Sequence, residues 1–122
     1  MGSWEFPASD LVEPTVSDRF GHIIAAIGHI EDCLQGLSQQ QFAKDQLLPI
    51  AFERLLEIIS VATDHIPTDT KNSDVSVDWS NLAEIGRRLE NVSERVEPDV
   101  LWDVAMHKLR PLKVFAKRHM AA

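Results

Sequence analysis

Residues 20–37, FGHIIAAIGHIEDCLQGL, carry the pattern that decides the fold. Apolar residues recur every three or four positions, which places them on one face of an α-helix. The members of this stripe are Phe20, Ile23, Ile24, Ile27, Ile30, Leu34 and Leu37. We expect Ser17 to cap the helix and Gly36 to end it. The stretch therefore predicts an amphipathic first helix that packs against other helices.

A strip of small residues runs along the same helix at Gly21, Ala25 and Gly28. Glycine inside a helix costs about 1 kcal/mol relative to alanine, so its presence needs a compensating contact. The strip predicts the close approach of another helix, either from within the chain or from a second copy.

A second helix is predicted from near Ser38 to a point before Pro67. Pro49 has no backbone N–H, so it predicts a kink or a helix restart near Gln46. The apolar residues after this proline cover more than one side of a helix, which indicates burial on two sides. In a chain this small, that pattern favours both a central position and a dimer interface.

The second half of the chain continues the helical pattern. Residues 66–78 are polar and contain Pro, Asp, Asn and Ser, so a loop is predicted there. A third helix follows from Asp78 and Ser80, and a fourth starts at Pro98, with Pro111 as a candidate bend. Strand alternation is absent. The sequence therefore predicts an all-α fold, an up-and-down four-helix bundle that dimerises through its helices.

The composition of the 122-residue chain narrows its class. The length fits one domain, predicted over residues 14–122, and residues 1–13 are predicted to be a tail in which residues 2–6 resemble cloning-site sequence. The single cysteine, Cys33, excludes an internal disulfide and is expected to be a small core residue. No apolar run is long enough to span a membrane and no leader pattern is present, so a cytoplasmic location is expected.

Charge is distributed unevenly along the chain. The net charge of −7 argues against broad electrostatic binding to nucleic acid or to an anionic membrane. The last acidic residue is Asp103, and residues 104–122 contain five Lys and Arg residues. This basic end is typical of cations that stabilise the last turn of a helix. It also fits a face that binds RNA or an acidic partner.

Few residues indicate catalytic chemistry. The sequence has no glycine-rich phosphate loop, no zinc-ligand pair and no nucleophile motif, so neither a metal nor a cofactor is predicted. His22 and His29 can share a helix face, but most helical histidines are not metal ligands. Trp79 and Trp102 are predicted to be packing residues, because large aromatic side chains dominate core energetics.

A polar strip on the third helix is the main candidate binding site. Arg88, Asn91 and Arg95 have the spacing of one helix face, and Arg87 precedes them. Arginines in such a strip are able to hold a phosphate, so Arg87, Arg88 and Asn91 are candidates for binding phosphate or RNA. The alternative is a solvated face on which the arginines pair with nearby acids. These acids are Glu84, Glu90 and Glu94.

The order of several residues supports a resemblance to a known family. After the amphipathic first helix come Phe42, residues 54–62 (RLLEIISVA), Trp79 and residues 109–113 (LRPLK). Over about residues 16–115 the chain resembles the HepT-like family of small helical proteins in the HEPN superfamily. The individual motifs are modest, whereas their order and spacing together are fairly specific.

The resemblance implies an up-and-down helical bundle that forms a homodimer. Members of this family are ribonuclease toxins of toxin–antitoxin pairs, and their partner is a minimal nucleotidyltransferase of the MntA type. The family motif consists of an arginine, four residues, a histidine, one residue and a tyrosine. Its arginine and histidine act on the RNA phosphate and 2′-hydroxyl without a metal, and adenylylation of the tyrosine by the antitoxin silences the toxin.

This chain departs from the family motif at each position. When the flanking apolar residues are aligned, the arginine falls on Gly86, the histidine on Asn91 and the tyrosine on Ser93. Residues 66–106 contain no histidine, and the chain contains no tyrosine. The Ile-Gly-Glu-Ala signature of the family's second helix is also altered, to ISVA at residues 59–62.

The altered motif leads to two functional hypotheses. Cleavage of RNA through its 2′-hydroxyl needs proton transfer near neutral pH, and the loss of a general acid or base costs about 10²–10⁴-fold in rate. The first hypothesis is therefore a HepT-like ribonuclease-toxin homologue with weak or lost RNase activity. The alternative is a non-catalytic dimeric helical module that binds a nucleotidyltransferase-like partner or RNA. A metabolic enzyme is a weaker third hypothesis, because it needs an enclosed polar pocket and the sequence gives no sign of one.

Overall fold

A computed structural model of the chain describes residues 13–91 and 95–121, in which helices and loops but no strands are present. The all-α prediction is therefore confirmed for this part of the chain. The elements are α1 (Val16–Leu34), α2 (Gln39–Lys44), α3 (Leu48–Asp64), α4 (Thr68–Asn72), α5 (Trp79–Glu90), α6 (Pro98–Asp103), a π-helical turn (Val104–Lys108) and α7 (Leu109–Ala121). Most of the predicted tail, and Ser93, lie outside the described residues.

Local hydrogen bonds fix the two ends of α1. Thr15, rather than the predicted Ser17, is the N-cap, because Thr15 Oγ1 accepts from the Asp18 N–H at 3.0 Å and Asp18 Oδ2 accepts from the Thr15 N–H at 2.9 Å. This reciprocal arrangement needs a suitable acceptor three residues after the cap, and Ser17 has Phe20 there. Beyond the helix, Gly36 has a φ of 78° and allows the chain to turn, as predicted.

The predicted second helix is divided into α2 and α3. Asp45 separates them, and its Oδ1 accepts hydrogen bonds from the N–H groups of Leu47 at 2.8 Å and Leu48 at 2.9 Å. Pro49 then lies in the first turn of α3, where its missing N–H breaks no helical hydrogen bond. The predicted restart near Gln46 is confirmed.

Two predicted segments differ from the structure. The loop predicted at residues 66–78 contains the short helix α4, which starts directly after a proline. In the last helix, where a bend is predicted at Pro111, the irregularity of the hydrogen bonding lies just before this proline, in the π-helical turn. There the Leu109 N–H donates to the carbonyl oxygen of Val104, five residues back, and Pro111 follows within the first turn of α7.

The core lies between α1, α3, α5 and the last helical segments. α3 is central, since it packs against both α1 and α5, and α1 also packs against α7. The largest fully buried side chains come from six of these elements, and they are Phe42, Phe115, Ile23, Ile27, Ile30, Ile59, Leu101, Leu109, Leu112 and Val104. Only one side of α3 is buried in this core, and Ile50 and Val61 on its other side are exposed.

The tryptophans pack as predicted. The ring of Trp79 meets Phe115 edge to face at 4.9 Å between centroids, and its Nε1 donates to the carbonyl oxygen of Lys71 at 3.0 Å. Trp102 lies beside Phe42 with the ring centroids 5.7 Å apart. Both side chains therefore tie helices together and leave little ring surface for stacking on a ligand.

The structure contradicts the expectation that Cys33 is buried, and it does not place a close helix of the described chain on the small-residue strip of α1. Cys33 is exposed, because the buried stripe runs through Leu34 and the preceding residue is rotated about 100° away. Apart from the chain neighbours and the backbone of α1 itself, no described atom lies within 4 Å of a Cβ built on Gly28. A Cβ built on Gly21 meets Met120 Cε at 3.6 Å, an ordinary van der Waals contact. No helix of the described chain closes on the small-residue strip, so contact with a second copy there stays a prediction.

No helix in the described part of the chain is long and apolar enough to cross a membrane.

Candidate functional site

The candidate site lies at the C-terminal end of α5. Asp78 begins this helix, because its Oδ1 accepts from the Asn81 N–H at 3.1 Å. The helix ends at Glu90, and Asn91 is its C-cap in an extended conformation, with its N–H donating to the carbonyl oxygen of Arg88. The predicted strip of Arg88, Asn91 and Arg95 on one helix face is therefore wrong, because the helix stops before it reaches Arg95.

At Gly86, α5 lies tightly against α3. A Cβ atom built on Gly86 would overlap Ser60 Oγ and stand 2.8 Å from Ser60 Cβ. Real Cβ atoms essentially never approach this closely, so a side chain at position 86 needs the two helices to move apart. The resemblance predicts that the motif arginine aligns with Gly86 and that the glycine of the Ile-Gly-Glu-Ala signature aligns with Ser60. The structure brings these two residues into one contact.

Arg88 connects the end of α5 to the segment before α6. Its side chain is 28% exposed, and Nη2 donates to Glu97 Oε2 at 3.2 Å and to the carbonyl oxygen of Arg95 at 3.4 Å. The backbone N–H of Glu97 and the Arg88 guanidinium hold the pKa of the Glu97 carboxyl below its usual value. Glu97, which the helical spacing does not indicate, is therefore an anchor for Arg88.

The other two arginines differ in how firmly they are held. Arg95 Nε donates to Glu53 Oε1 of α3 at 3.4 Å, which ties the segment after α5 to the central helix. Arg87 is 74% exposed, and its Nη2 lies 3.9 Å from Glu84 Oε1, a loose ion pair. Arg87 is thus the arginine of this group whose guanidinium is most open to an incoming phosphate.

The structure brings the three predicted site residues together. Arg87, Arg88 and Asn91 line one open depression of about 500 Å³, together with Glu84 and Glu90. Two carboxylates beside two guanidiniums make its charge nearly balanced, so it lacks the strong positive field of a general nucleic-acid groove. That these residues bind phosphate or RNA stays a prediction.

The basic end of the chain is largely used within the fold. Three of its five cations form ion pairs with acids on other elements, and the pairs are Lys108–Asp78 at 2.9 Å, Lys113–Glu31 at 2.7 Å and Arg118–Asp74 at 3.2 Å. Arg110 and Lys117 form no ion pair with another described residue. The basic end therefore connects helices more than it offers a positive face.

Few side chains near this site are able to act in acid–base or metal-dependent catalysis. Asn91, which the resemblance aligns with the motif histidine, has an amide side chain that does not titrate. Ser93, which the resemblance aligns with the motif tyrosine, lies outside the described residues. No three His, Cys, Asp or Glu side chains cluster as a metal site requires in the described part of the chain. Asp18 Oδ2 accepts from the Thr15 N–H, so the carboxylate nearest to His22 along the helix is held in the capping box of α1.

Sequence reasoning missed three contacts that shape the site. Ser60 and Gly86 meet across two helices. The only sign of this contact in the sequence is a glycine inside an amphipathic helix, and the glycines of α1 give the same sign. Glu97 and Glu53 hold the arginines from outside α5. Acids that far apart in sequence give no periodic signal, because only partners three or four residues away share a helix face.

An all-helical chain with arginines at the end of a central helix pair has the fold expected of the helical ribonucleases of the HEPN superfamily. The family described as Ribonuclease HepT-like matches residues 23–119, and the chain belongs to this family.

Two relatives illustrate the family. The protein named "Putative RNase TTE0752" of Caldanaerobacter subterraneus subsp. tengcongensis is 26% identical over 92 residues, which cover 75% of this chain and 82% of the relative. The protein named "Probable ribonuclease HepT" of Thermococcus cleftensis is 29% identical over 96 residues, 79% of this chain and 87% of the relative. No solved structure matches the chain significantly.

Proposed function

We propose that the protein is a ribonuclease-toxin homologue of a toxin–antitoxin pair whose RNase activity is weak or lost. The contact between Gly86 and Ser60 carries this proposal, because it leaves no space for the motif arginine. At the position that the resemblance gives to the arginine, a side chain would require Ser60 or the two helices to shift.

The polar groups that remain support binding more than cleavage. Asn91 is able to donate and accept hydrogen bonds, but it has no proton to exchange near neutral pH. Arg87 is exposed beside it and is able to contact a phosphate. A site with these groups holds an RNA backbone without providing a general base for its 2′-hydroxyl.

An RNA cleavage assay tests the proposal. The purified protein is incubated with single-stranded and structured RNA in EDTA, beside a HepT-like protein whose sequence carries the arginine, histidine and tyrosine of the family motif. We expect cleavage at least about 10²-fold slower than that of a family member with an intact motif, because a general acid or base is missing. Growth of cells that express the chain without an antitoxin gives a second measurement, and we expect no arrest.

Two variants guard this assay against contaminating nucleases. Asn91→Ala removes the residue at the histidine position, and Lys117→Ala removes an exposed cation of α7 as the matched control. Cleavage that Asn91→Ala abolishes and Lys117→Ala leaves intact would contradict the loss of activity. Residual cleavage that neither variant changes does not depend on Asn91, and cleavage that separates from the protein in a further chromatography step belongs to a contaminant.

A second candidate is a non-catalytic dimeric module that binds a nucleotidyltransferase-like partner or RNA. The observation in its favour is the outer side of α3, where Leu47, Ile50 and Val61 are 74%, 52% and 52% exposed. Large apolar side chains grouped on one exposed face are typical of an interaction surface. A minimal nucleotidyltransferase encoded beside this chain, and co-purifying with it, would favour the paired form of either candidate.

A further inference from the structure

Arg88 lines the depression at the end of α5, yet its guanidinium is already engaged by other parts of this chain. Its Nη2 carries two N–H groups, and it donates to the carbonyl oxygen of Arg95 at 3.4 Å and to Glu97 Oε2 at 3.2 Å. Arg87, in the same depression, has no such hydrogen bond to a described acid and is far more exposed. A phosphate that uses Nη2 of Arg88 must therefore first displace an acceptor of the protein.

The Glu97 carboxylate is chemically suited to take the place of a phosphate. Arginine binds carboxylates and phosphates through the same charge-assisted hydrogen bonds. Glu97 is the N-cap of α6 and lies nine residues after Arg88, so the fold and not a shared helix face brings the two side chains together. Its own backbone N–H and Arg88 hold the pKa of the Glu97 carboxyl below its usual value, which keeps it charged at neutral pH.

The contact between Glu97 and Arg88 is one that a ligand is able to break. The Glu97 side chain is 65% exposed, and ion pairs at the surface are weak because water screens them and both side chains lose freedom. A phosphate backbone that replaces Glu97 also meets Arg87, which lines the same depression. The exchange thus gives the ligand two guanidiniums, whereas Glu97 pairs with one.

The two acids that line the depression stand in a different relation to its arginines. Glu84 Oε1 lies 3.9 Å from Arg87 Nη2, which is too far for a hydrogen bond. Glu90 forms no ion pair with another described residue. Both acids add negative charge, but neither of them engages an arginine at hydrogen-bond distance. Glu97 does, so its removal should change phosphate binding the most.

We propose that Glu97 is an internal competitor of RNA phosphate at Arg88 and limits the affinity of the site for RNA. In the free protein Glu97 engages Nη2 of Arg88, and Arg87 is the guanidinium that a phosphate meets first. A bound RNA strand displaces the Glu97 carboxylate and gains the second arginine. This inference rests on the proposed function, since it requires a site that holds an RNA backbone, and it adds how the chain itself regulates that binding.

Binding of a labelled RNA tests the competition. Fluorescence anisotropy gives the Kd of a fluorescein-labelled single-stranded RNA with 2′-O-methyl riboses at several salt concentrations. This RNA has no free 2′-hydroxyl, so the measurement does not depend on cleavage. Glu97→Gln keeps the size of the side chain and removes its charge. We expect it to lower the Kd at least about threefold, and to steepen the slope of log K against log salt by about 0.7, the contribution of one phosphate contact to a single strand.

Two further comparisons separate competition at Arg88 from a general change of charge. Glu90→Gln removes the same charge from the depression but releases no arginine, so we expect a smaller gain in affinity and the wild-type salt dependence. In a protein that carries Arg88→Ala, Glu97→Gln should no longer tighten binding, because the guanidinium that it would release is absent. Circular dichroism checks that each variant stays helical.

Three results would overturn the competition while leaving the site in place. They are a Kd that Glu97→Gln does not lower, a gain that Glu90→Gln matches, and a gain that persists without Arg88. Binding that neither Arg87→Ala nor Arg88→Ala weakens would overturn the RNA-holding role of the site, and the competition with it. The loss of RNase activity is tested apart from these outcomes, because the 2′-O-methyl RNA reports binding alone.

Discussion

The glycines of α1 and the glycine of α5 have different surroundings, although all of them lie inside helices. Around Gly28, no described atom outside the backbone of α1 and the chain neighbours comes within 4 Å of the place where a Cβ would stand. A Cβ on Gly21 would make an ordinary van der Waals contact with Met120. At Gly86, the same Cβ would overlap Ser60. A helical glycine therefore indicates a close contact only where a second helix supplies the residue that fills the space.

This difference connects the candidate site to the packing of the core. The resemblance predicts the motif arginine at Gly86 and the glycine of the helix signature at Ser60. The space that a side chain on α5 would need at position 86 is filled by Ser60 of α3. The proposed loss of the arginine is therefore tested by experiments on this contact.

The largest effect is expected from Gly86→Ala. Overpacking of a tight contact costs about 1–3 kcal/mol, and the better helix propensity of alanine returns at most about 1 kcal/mol. We expect the free energy of unfolding, measured by chemical denaturation, to fall by about 1–2 kcal/mol. A rise in stability would mean that α3 and α5 separate easily, and the contrast with α1 would be lost.

Ser60→Gly supplies the matching half of this test. In a protein that already carries Ser60→Gly, Gly86→Ala should be neutral or stabilising, because the overlapping side chain is gone. The double-mutant cycle should give a coupling energy of about 1–3 kcal/mol between positions 60 and 86. Additive effects would show that the destabilisation arises elsewhere.

A smaller effect of opposite sign is expected from Gly28→Ala. With no described atom near the new Cβ, alanine should raise the free energy of unfolding by about 0.5–1 kcal/mol through helix propensity. The same denaturation experiment measures it. Destabilisation, or a change in oligomeric state, would mean that a second copy packs against the small-residue strip of α1.

Much of the helical layout is predictable from the sequence, and most of the site is not. The stripe from Phe20 to Leu34 predicts α1 because its spacing is local, and Pro49 with Asp45 predicts the restart at α3. The contact of Ser60 with Gly86 joins separate helices, and no local pattern encodes it.

The same reasoning explains the basic end of the chain. Its cations form a cluster in the sequence, but Lys113 reaches Glu31 on α1 and Arg118 reaches Asp74 in the loop before α5. Local charge counts therefore overstate the positive charge that a ligand would meet. Arg87 is a single residue in a balanced stretch, yet it is more open than these paired cations.

The smallest expected effect concerns two aspartates at the starts of helices, Asp18 in the first turn of α1 and Asp78 at the N-cap of α5. Lys108 and the Asn81 N–H lower the pKa of Asp78, and the Thr15 N–H lowers the pKa of Asp18. A carboxyl with a lowered pKa stabilises the fold above the unfolded-state pKa, about 3.9, and this stabilisation is lost as the pH falls through the folded-state pKa. The thermal unfolding midpoint should therefore decline below about pH 4.

Substitution by asparagine distinguishes the two caps. Asp78→Asn keeps an acceptor for the Asn81 N–H but removes both the titration and the ion pair with Lys108, so the decline below pH 4 should become shallower. Asp18→Asn should flatten it independently, because the two caps begin different helices and distant effects add. An unchanged decline in the double variant would mean that other carboxylates cause the loss of stability in acid.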